Sequence, residues 1–334
     1  MKVAELGELG LIDLINRIVS GSRSNQPSWQ QLVLGIGDDA AAWQADSSVH
    51  LVTTDSLIQD VHFSLATAAW DDLGWKALAV NLSDIAAMGG VPQYALVALA
   101  VPAETDVASV TDLYHGMLEM AQQSGVAIVG GDTDCAPAVM INVTVIGKTA
   151  RREYMLTRSA ARAGDKIAVT GYVGSAAAGL KMLKERLRFD PAAMAFLRRA
   201  FWRPCPRVTE GQQLLQEGVR TAIDISDGLV ADLTHICRTS RVGARVDIDR
   251  VPVAPAVIAN FGNKALELAL SGGEDYELLF TASAETIDKV KRAVKCPITV
   301  IGDIIASDIM GVTLVDSEGK PFQLTKSGWE HFTA

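Results

Sequence analysis

The chain has little cysteine and little histidine. Its 334 residues include five histidines and four cysteines, Cys135, Cys205, Cys237 and Cys296, which lie far apart and form no CxxC pair. This spacing disfavours a disulfide framework or a zinc cluster and is typical of reduced thiols in a cytosolic protein. We therefore expect a cytoplasmic protein in which the cysteines serve packing.

Positive charge is also scarce. The sequence holds 30 Lys and Arg against 39 Asp and Glu, a net charge of −9. A nucleic-acid surface depends on clustered basic side chains that release counterions, and the sequence has no such cluster. We therefore expect no nucleic-acid partner. An acidic protein that binds a nucleotide must supply positive charge locally, through metal ions and a few arginines.

Long apolar runs and several common motifs are missing. The run YALVALAV is too short to span a membrane and is followed by Pro102. The N-terminal residues carry Glu5, Glu8 and Asp13 and lack a basic region followed by an apolar run, so we expect no signal peptide and no membrane association. The sequence also lacks the P-loop pattern GxxxxGK(S/T) and the protein-kinase combination of glycine loop, HRD and DFG.

What is present predicts a two-domain α/β (α+β) protein. Hydrophobic residues make up 49% of the sequence, enough for a sizeable core, and the length favours about two domains. Apolar runs rich in Val, Ile and Thr alternate with helical patterns. The polar, basic segment RREYMLTRSAARAGD separates two such halves, so we place the domains at residues 1–150 and 151–334.

The periodicity gives approximate bounds for the elements. The predicted strands are Leu32–Ile36, His50–Thr54, Tyr94–Val101, Ala127–Val129, Val139–Ile146, Lys166–Thr170, Thr221–Ile225, Ala244–Ile248, Glu277–Thr281 and Ile298–Ile301. The predicted helices are Leu9–Val19, Asp72–Met88, Val107–Ser124, Ser175–Glu185, Val208–Glu217, Gly228–Thr239 and Glu285–Val294.

Seven aspartates lie in short, glycine-flanked motifs at the ends of apolar segments. Two carboxylates about 4 Å apart repel by roughly 4 kcal/mol at a surface-like dielectric, so a cluster of them requires cations. Hard oxygen ligands with little histidine or thiolate favour Mg²⁺ over zinc or copper. The pattern therefore predicts a metal–phosphate site. The motifs are GIGDDAA with Asp38 and Asp39, TTDSL with Asp55, NLSDIAAMGG with Asp84, GGDTD with Asp132, and DISDGL with Asp224 and Asp227.

Each motif has an ordinary alternative when it is judged alone. GIGDDAA and GGDTD are each compatible with a tight turn. The TTD motif strengthens the interpretation of a metal site, because Thr53 and Thr54 add hydroxyl and carbonyl oxygens as possible ligands beside Asp55. Capping would explain Ser226 as a helix N-cap with Asp227 in the first turn.

Two aspartates are harder to explain without a cation. Asp84 falls near the C-terminal end of a predicted helix, where the helix dipole disfavours a carboxylate. Asp224 is an acid inside an otherwise apolar strand, and capping does not account for it. Both positions favour a bound metal.

A further glycine turn, in TGYVGSAAAGL at residues 170–180, leaves two interpretations open. The backbone N–H groups at the start of the following helix could bind phosphate. A tight strand-to-helix crossover is equally compatible with the sequence.

Taken in order, the motifs resemble those of the thiamine-monophosphate kinase family. They run from GELGLI through the aspartate motifs, TTDSLIQDVHF, WKALAVNLSDIAAMGG, LTRSAA and SGGEDYEL to the terminal KSGWEHF. This family belongs to the superfamily of aminoimidazole ribonucleotide synthetase and selenophosphate synthetase, whose members bind ATP without a P-loop. The resemblance implies a two-domain α/β fold, a homodimer formed by the N-terminal sheets, and ATP-dependent phosphorylation of thiamine monophosphate to thiamine diphosphate.

The resemblance also implies roles for individual residues. Magnesium ions would be bound by Asp39, Thr53, Thr54, Asp55, Asp84, Asp132, Asp224 and Asp227. ATP would be contacted by Gly131, Asp132, Arg158 and Ser226, with Tyr114 as a weaker candidate. Thiamine monophosphate would be contacted by His62, Glu274 and Trp329. The sequence departs from the family at Asp60, where relatives often carry glycine.

The chemistry implied needs no general base. The attacking phosphate oxygen of thiamine monophosphate is already anionic at neutral pH, so alignment and charge neutralisation suffice for direct in-line transfer without a phosphoenzyme. Two alternatives stay open, namely another ATP-dependent enzyme of the superfamily and a catalytically silent nucleotide-binding sensor. The full set of acidic motifs weighs against the sensor, because a binding module has less need of several metals.

Overall fold

The computed structural model describes residues 32–34, 38–45 and 48–329, so the predicted helix Leu9–Val19 lies outside the described residues. The described chain forms two mixed six-stranded sheets, each with helices packed on it. The predicted α/β class is therefore confirmed.

The first sheet has the strand order β1-β2-β3-β6-β4-β5. Its neighbours pair antiparallel except β4 and β5, which are parallel. Alternate residues of β3, such as Val49, Leu51 and Leu57, are buried, as expected for a sheet with one face on the core. The strands are β1 Leu32–Leu34, β2 Ala41–Ala45, β3 Ser48–Ile58, β4 Val91–Val101, β5 Ala127–Cys135 and β6 Met140–Thr149.

Two long helices, α1 at Trp70–Ala87 and α2 at Val107–Ser124, pack with this sheet and against each other. Their backbones approach so closely that only glycine fits at the crossing. A Cβ on Gly74 would overlap the carbonyl oxygen of Leu113, and one on Gly116 would overlap that of Asp71. This packing fixes the position of α1, whose C-terminal half carries Ser83 and Asp84.

The second sheet has the order β12-β9-β11-β7-β10-β8, with only β9 and β12 parallel among its pairs in the described chain. Its strands are β7 Lys166–Thr170, β8 Thr221–Asp224, β9 Gly243–Asp247, β10 Leu278–Ala282, β11 Ile298–Ile305 and β12 Val312–Val315. The helices of this half are α3 Ser175–Glu185, α4 Pro191–Trp202, α5 Val208–Gln216, α6 Leu229–Ser240, α7 Pro255–Phe261, α8 Ala265–Ser271 and α9 Ala284–Ala293.

The two halves share packing. Phe201 and Trp202, at the end of α4, belong to the core of the first half. Next to them, the Arg203 guanidinium donates to Asp72 and Glu119, and the Trp75 indole N–H donates to the Pro204 carbonyl at 2.8 Å. The division at residue 150 therefore stays a prediction. Helix α1 also contacts β8 directly.

Several elements differ from the sequence prediction. Strand β5 continues through GGDTDC to Cys135, although glycine and aspartate disfavour strands, because β4 pairs with it along its length. The prediction also missed β2, β12, α4, α7 and α8. Pro191 and Pro255 stand at the first positions of α4 and α7, a start signal that could have revealed both helices.

No helix of the described residues combines the length and the apolar character that crossing a membrane would require.

Candidate active site

Three of the predicted aspartates converge where the two halves meet. Asp39, Asp84 and Asp224 each place a carboxylate oxygen within 4.8 Å of the others. They come from the bend before β2, from the C-terminal half of α1 and from the last position of β8. We call these three residues the carboxylate cluster.

Two hydroxyl groups hold the cluster in place. The Thr53 hydroxyl donates to Asp84 Oδ2 at 2.5 Å, and the Ser83 hydroxyl donates to Asp224 Oδ2 at 2.6 Å. Ser83 was missed by the sequence analysis, since nothing in the motif LSD shows that the serine will face a strand of the other half. The adjacent pair Ser83 and Asp84 thus lets α1 contact both the first and the second sheet.

Arg158 brings a cation to this cluster. Its guanidinium forms a bidentate pair with Asp39, with Nε 3.2 Å from Oδ2 and the second nitrogen on Oδ1. Its backbone N–H donates to Asp38 Oδ2 at 3.3 Å. Burial and the neighbouring Asp39 nevertheless raise the pKa of Asp38 to about 7. One arginine therefore does not neutralise the whole group of acids.

The electrostatics of the cluster favour a cation. Burial raises the pKa of Asp84 well above its usual value, and the charges of Asp55, Asp224 and Asp39 raise it further. Burial followed by Asp39 raises the pKa of Asp224 to about 8. Carboxylate and hydroxyl oxygens are ligands that Mg²⁺ accepts, so the donor set fits this ion.

The alternation of β3 separates residues that are adjacent in TTDSL. Thr53 and Asp55 point to the face of the sheet that carries the cluster, and Thr54 points to the other face. The Thr54 hydroxyl donates to Val143 O at 3.1 Å and accepts from the Thr144 hydroxyl at 3.0 Å. The structure therefore does not bring the predicted Thr54 hydroxyl to the cluster.

A second pocket holds three of the predicted nucleotide residues. Tyr114, Gly131 and Asp132 line a cavity of about 330 Å³ between α2 and the edge strand β5. A Cβ on Gly131 would overlap the Val97 carbonyl oxygen, so this position requires glycine. The Asp132 carboxylate accepts the Thr133 N–H at 2.9 Å and is not part of the carboxylate cluster.

The pairing of the strands shows how far this pocket lies from Asp55, on the cluster side of the sheet. Asp55 pairs with Val143, Val143 pairs with Val97, and Val97 pairs with Gly131. Three strand spacings correspond to roughly 14 Å. The predicted metal and nucleotide residues therefore fall in one row of the sheet, separated by Val143 and Val97, which are both buried in the core.

The DISDGL segment is organised differently from the prediction. The N-cap of α6 is Gly228, and Ser226 is not the cap. The carboxylate of Asp232 accepts the backbone N–H groups of Ser226, Asp227 and Gly228 at 3.0 to 3.2 Å. The Asp232 carboxylate, one turn into the helix, thus accepts the backbone N–H groups that a serine N-cap was expected to accept.

Asp227, Asp232 and His235 place ligand atoms within 4.8 Å of one another.

The same loop gathers two of the predicted substrate residues. The Glu274 N–H donates to Ser226 O at 2.8 Å, and the Trp329 N–H donates to Asp227 O at 3.0 Å. Both residues therefore lie beside the loop that follows Asp224. Trp329 is 49% exposed, and the Lys326 ammonium lies 5.4 Å from the centroid of its ring.

The glycine turn of TGYVGSAAAGL already holds an anion from the protein. The carboxylate of Asp275 accepts the N–H of Gly174 at 2.6 Å and that of Ala176 at 3.1 Å. Burial raises the pKa of Asp275 to about 7. Because this carboxylate occupies the helix N-terminus, the crossover interpretation holds and the phosphate interpretation is wrong.

His62 and Asp60 lie in the turn after β3. The Ile58 N–H donates to His62 Nδ1 at 3.0 Å, which places the ring proton on Nε2 when the imidazole is neutral. Asp60 has φ +63°, in the left-handed region that favours glycine. A residue in this conformation explains why relatives often carry glycine at the position of Asp60, and it defines the shape of the loop.

Two buried polar residues, Lys76 and Tyr276, lie inside the motifs WKALAVNLSDIAAMGG and SGGEDYEL, but the sequence analysis assigned neither of them a role. The Lys76 ammonium lies 2.5 Å from Glu274 Oε2. Burial raises the pKa of the Tyr276 hydroxyl well above its usual value, and the charges of Glu274 and Asp55 raise it further. The contacts of both residues depend on the packing of α1 against the SGGEDYEL loop, which the sequence alone does not show.

Comparisons with known proteins agree with this geometry. Models for the N-terminal and C-terminal domains of AIR synthase related proteins match residues 37–149 and 162–315. The thiamine-monophosphate kinase of Bacillus subtilis (strain 168) is 38% identical over 90% of this chain and 93% of its own length. That of Escherichia coli (strain K12) is 38% identical over 97% and 98%. The chain belongs to the thiamine-monophosphate kinase family.

This membership confirms the resemblance drawn from the ordered motifs. A solved structure of AaThiL complexed with AMPPCP and TMP superposes with a TM-score of 0.85 at 32% identity, covering 99% of each chain. The family likeness therefore extends over both sheets and over the junction where the carboxylate cluster lies.

Proposed function

We propose that this chain transfers the γ-phosphoryl group of ATP to thiamine monophosphate, giving thiamine diphosphate and ADP. The observation that carries the proposal is the carboxylate cluster, formed by three distant motifs at the junction of the two halves. Relatives at 38% identity over nearly the whole chain bear the name of this kinase. One of the similar solved structures is complexed with AMPPCP and TMP.

Magnesium is part of this proposal. Asp39, Asp84 and Asp224 would hold Mg²⁺, with Asp55 beside them on β3. When bound, Mg²⁺ neutralises the oxygens of the transferring phosphate. Asp227, next to Asp232 and His235, offers a further carboxylate on the substrate side of the loop.

The nucleotide would be contacted by two groups of residues, one in the pocket on β5 and one at the junction of the two halves. Tyr114, Gly131 and Asp132 line that pocket, and Gly131 is required there because a Cβ would overlap the Val97 carbonyl oxygen. At the junction, Arg158 is oriented by Asp39 and can engage phosphate oxygens with its remaining N–H group. Ser226, in the loop after β8, completes the set of proposed ATP contacts.

Thiamine monophosphate would bind beside the Ser226–Asp227 loop. Glu274 and Trp329 are held there by backbone hydrogen bonds, and the Trp329 ring can stack on an aromatic ring of the acceptor. His62 would complete this set from the turn after β3. The acceptor oxygen is anionic at neutral pH, so these residues orient it and need not remove a proton.

The direct test is to incubate the purified protein with Mg²⁺, ATP and thiamine monophosphate and to detect thiamine diphosphate. Free thiamine serves as a control acceptor and should not react, because its hydroxyl would need a base. Turnover of ATP with an aminoimidazole precursor or selenide, but not with thiamine monophosphate, would favour another enzyme of the superfamily. Binding of ATP without turnover would favour a sensor.

The proposal also includes a homodimer and a cytoplasmic location. Tyr94, Leu96, Val129 and Met140 expose apolar side chains on β4, β5 and β6, as expected for strands that a second sheet covers. Cys135, Cys205, Cys237 and Cys296 are all free, which fits a reducing compartment. Light scattering of the purified protein would test the dimer.

A further inference from the structure

Helix α1 carries a lysine where its surroundings are apolar. Lys76 is only 1% exposed, and its neighbours in the helix, Trp75 and Ala77, are also buried. An ammonium group removed from water is costly unless a charge or hydrogen-bond partner compensates for it. The position therefore needs an explanation beyond packing.

The compensation comes from the other half of the chain. Lys76 Nζ lies 2.5 Å from Glu274 Oε2. It also lies 3.6 Å from the ring centroid of Phe201 and 5.5 Å from that of Trp202. The ammonium is thus held between two aromatic rings and one carboxylate, and Glu274 is its only ion-pair partner among the described residues.

Glu274 is constrained as well. Its backbone has φ +67°, in the left-handed region, and its N–H donates to Ser226 O. Its side chain is 26% exposed, so the contact with Lys76 leaves part of the Glu274 side chain accessible to solvent. Lys76 contacts Oε2 and leaves Oε1 outside the ion pair.

We propose that Lys76 is a positioning residue that fixes the Glu274 carboxylate for contact with the organic part of the phosphate acceptor. This inference rests on the proposed function, in which Glu274 contacts thiamine monophosphate. Because Lys76 cancels much of the carboxylate charge, Glu274 acts mainly as an oriented hydrogen-bond acceptor. The ligand group that suits it is an N–H donor on a heteroaromatic ring, such as the amino group of an aminopyrimidine.

Lys76 is buried more deeply than Glu274, so removing one partner of this ion pair should affect stability differently from removing the other. Thermal stability therefore provides a test that does not depend on activity. Without Lys76, Glu274 can be solvated from the cleft, and methionine can fill the space beside Phe201 and Trp202. Without the Glu274 charge, the buried ammonium loses its partner. We therefore expect Glu274→Gln to lower Tm by about 4 °C or more, Lys76→Met to leave it nearly unchanged, and the double variant to recover it.

The experiment is a double-mutant cycle on the full chain, with KM for thiamine monophosphate and for ATP measured for each variant. Lys76→Met should raise KM for thiamine monophosphate by about tenfold or more and change KM for ATP by less than about twofold. The double variant should bind the acceptor no worse than Glu274→Gln alone. Lys181→Met is the matched control, since it breaks an exposed ion pair with Glu185 and should change neither KM.

The outcomes separate this inference from the proposed function. If Glu274→Gln raises KM for the acceptor and Lys76→Met does not, or if the two effects add in the double variant, the role of Lys76 is overturned and the kinase assignment stands. If Glu274→Gln leaves KM unchanged, the acceptor role of Glu274 is wrong, and the Lys76 inference is overturned with it. If the wild-type protein makes no thiamine diphosphate, the proposed function itself is rejected.

Discussion

Asp84 lies at a position that its own helix makes unfavourable for a charge. It is near the C-terminal end of α1, and burial together with Asp55, Asp224 and Asp39 raises its pKa. We predict that Asp84→Asn lowers kcat by about 100-fold or more at saturating Mg²⁺, the scale expected when a group that stabilises transition-state charge is lost. Steady-state assays of thiamine diphosphate formation measure this change.

The fold should survive the same substitution. Asparagine removes repulsion from Asp39 and Asp224, so Tm of the metal-free protein should stay the same or rise. Asp288→Asn, at an exposed position on α9, is the matched control and should change neither kcat nor Tm. Near-normal kcat in Asp84→Asn would show that this carboxylate has no role in turnover.

Asp60 permits a test of backbone conformation alone. Its φ of +63° costs an L residue more than glycine, although aspartate tolerates this region better than alanine. We predict that Asp60→Gly raises the free energy of unfolding by about 0.5 kcal/mol and Asp60→Ala lowers it by about 1 kcal/mol. Urea denaturation compares the two variants, which both lack the carboxylate and differ only in Cβ. Equal stabilities would mean that the turn does not impose this conformation.

The sequence motifs include the three aspartates that converge, but they did not predict which side chains hold those aspartates in place. Asp39, Asp84 and Asp224 converge because three glycine-flanked motifs end at one junction. Ser83 and Lys76 could not be predicted, because their partners are on elements more than a hundred residues away. Long-range pairing of this kind depends on how α1 packs, and no local pattern encodes it.

At the scale of elements, α1 carries the site because α2 fixes it against the first sheet. Gly74 lies where a Cβ would overlap the Leu113 backbone. We predict that Gly74→Ala forces the two helices apart and costs about 2 kcal/mol of stability or more, despite the higher helix propensity of alanine. It should also lower kcat, since Asp84 moves with the helix.

Gly311→Ala is the matched control for this prediction. The nearest atom to a Cβ at Gly311 is Ile309 Cγ2 at 4.0 Å, so the same substitution meets open space there. Differential scanning fluorimetry and the kinase assay should both separate the two variants. A Gly74→Ala protein with the stability and kcat of Gly311→Ala would mean that the crossing can open without disturbing Asp84.

Element prediction succeeded where one residue pattern was long and uniform, and failed where tertiary pairing decided the structure. Val107–Ser124 and Ser175–Glu185 have the bounds that periodicity gives. Strand β5 was predicted too short, because the glycines and aspartates of GGDTDC disfavour strands and the segment is held by its pairing with β4. The same pairing, invisible in the sequence, places Gly131 in the row that begins at Asp55.

At the scale of the whole molecule, both halves contribute acids to one junction in a protein of net charge −9. The pKa of Asp224 is raised to about 8 and that of Asp38 to about 7. Both values lie above those of an unfolded chain, so between about pH 4 and 8 the folded, metal-free protein binds more protons than the unfolded one. Its stability should therefore fall as the pH rises through this window.

Mg²⁺ should oppose this loss of stability at higher pH. Metal binding displaces the protons and binds the folded state preferentially, so its stabilisation should grow with pH. We predict that Tm of the metal-free protein falls by several degrees from pH 6 to pH 8.5, and that saturating Mg²⁺ removes most of the fall. Asp224→Asn cannot ionise at this position, so its metal-free Tm should depend less on pH. A wild-type slope equal to that of Asp224→Asn, with or without Mg²⁺, would mean that the Asp224 carboxylate is already ionised without a metal and that the repulsion inferred for the cluster is absent.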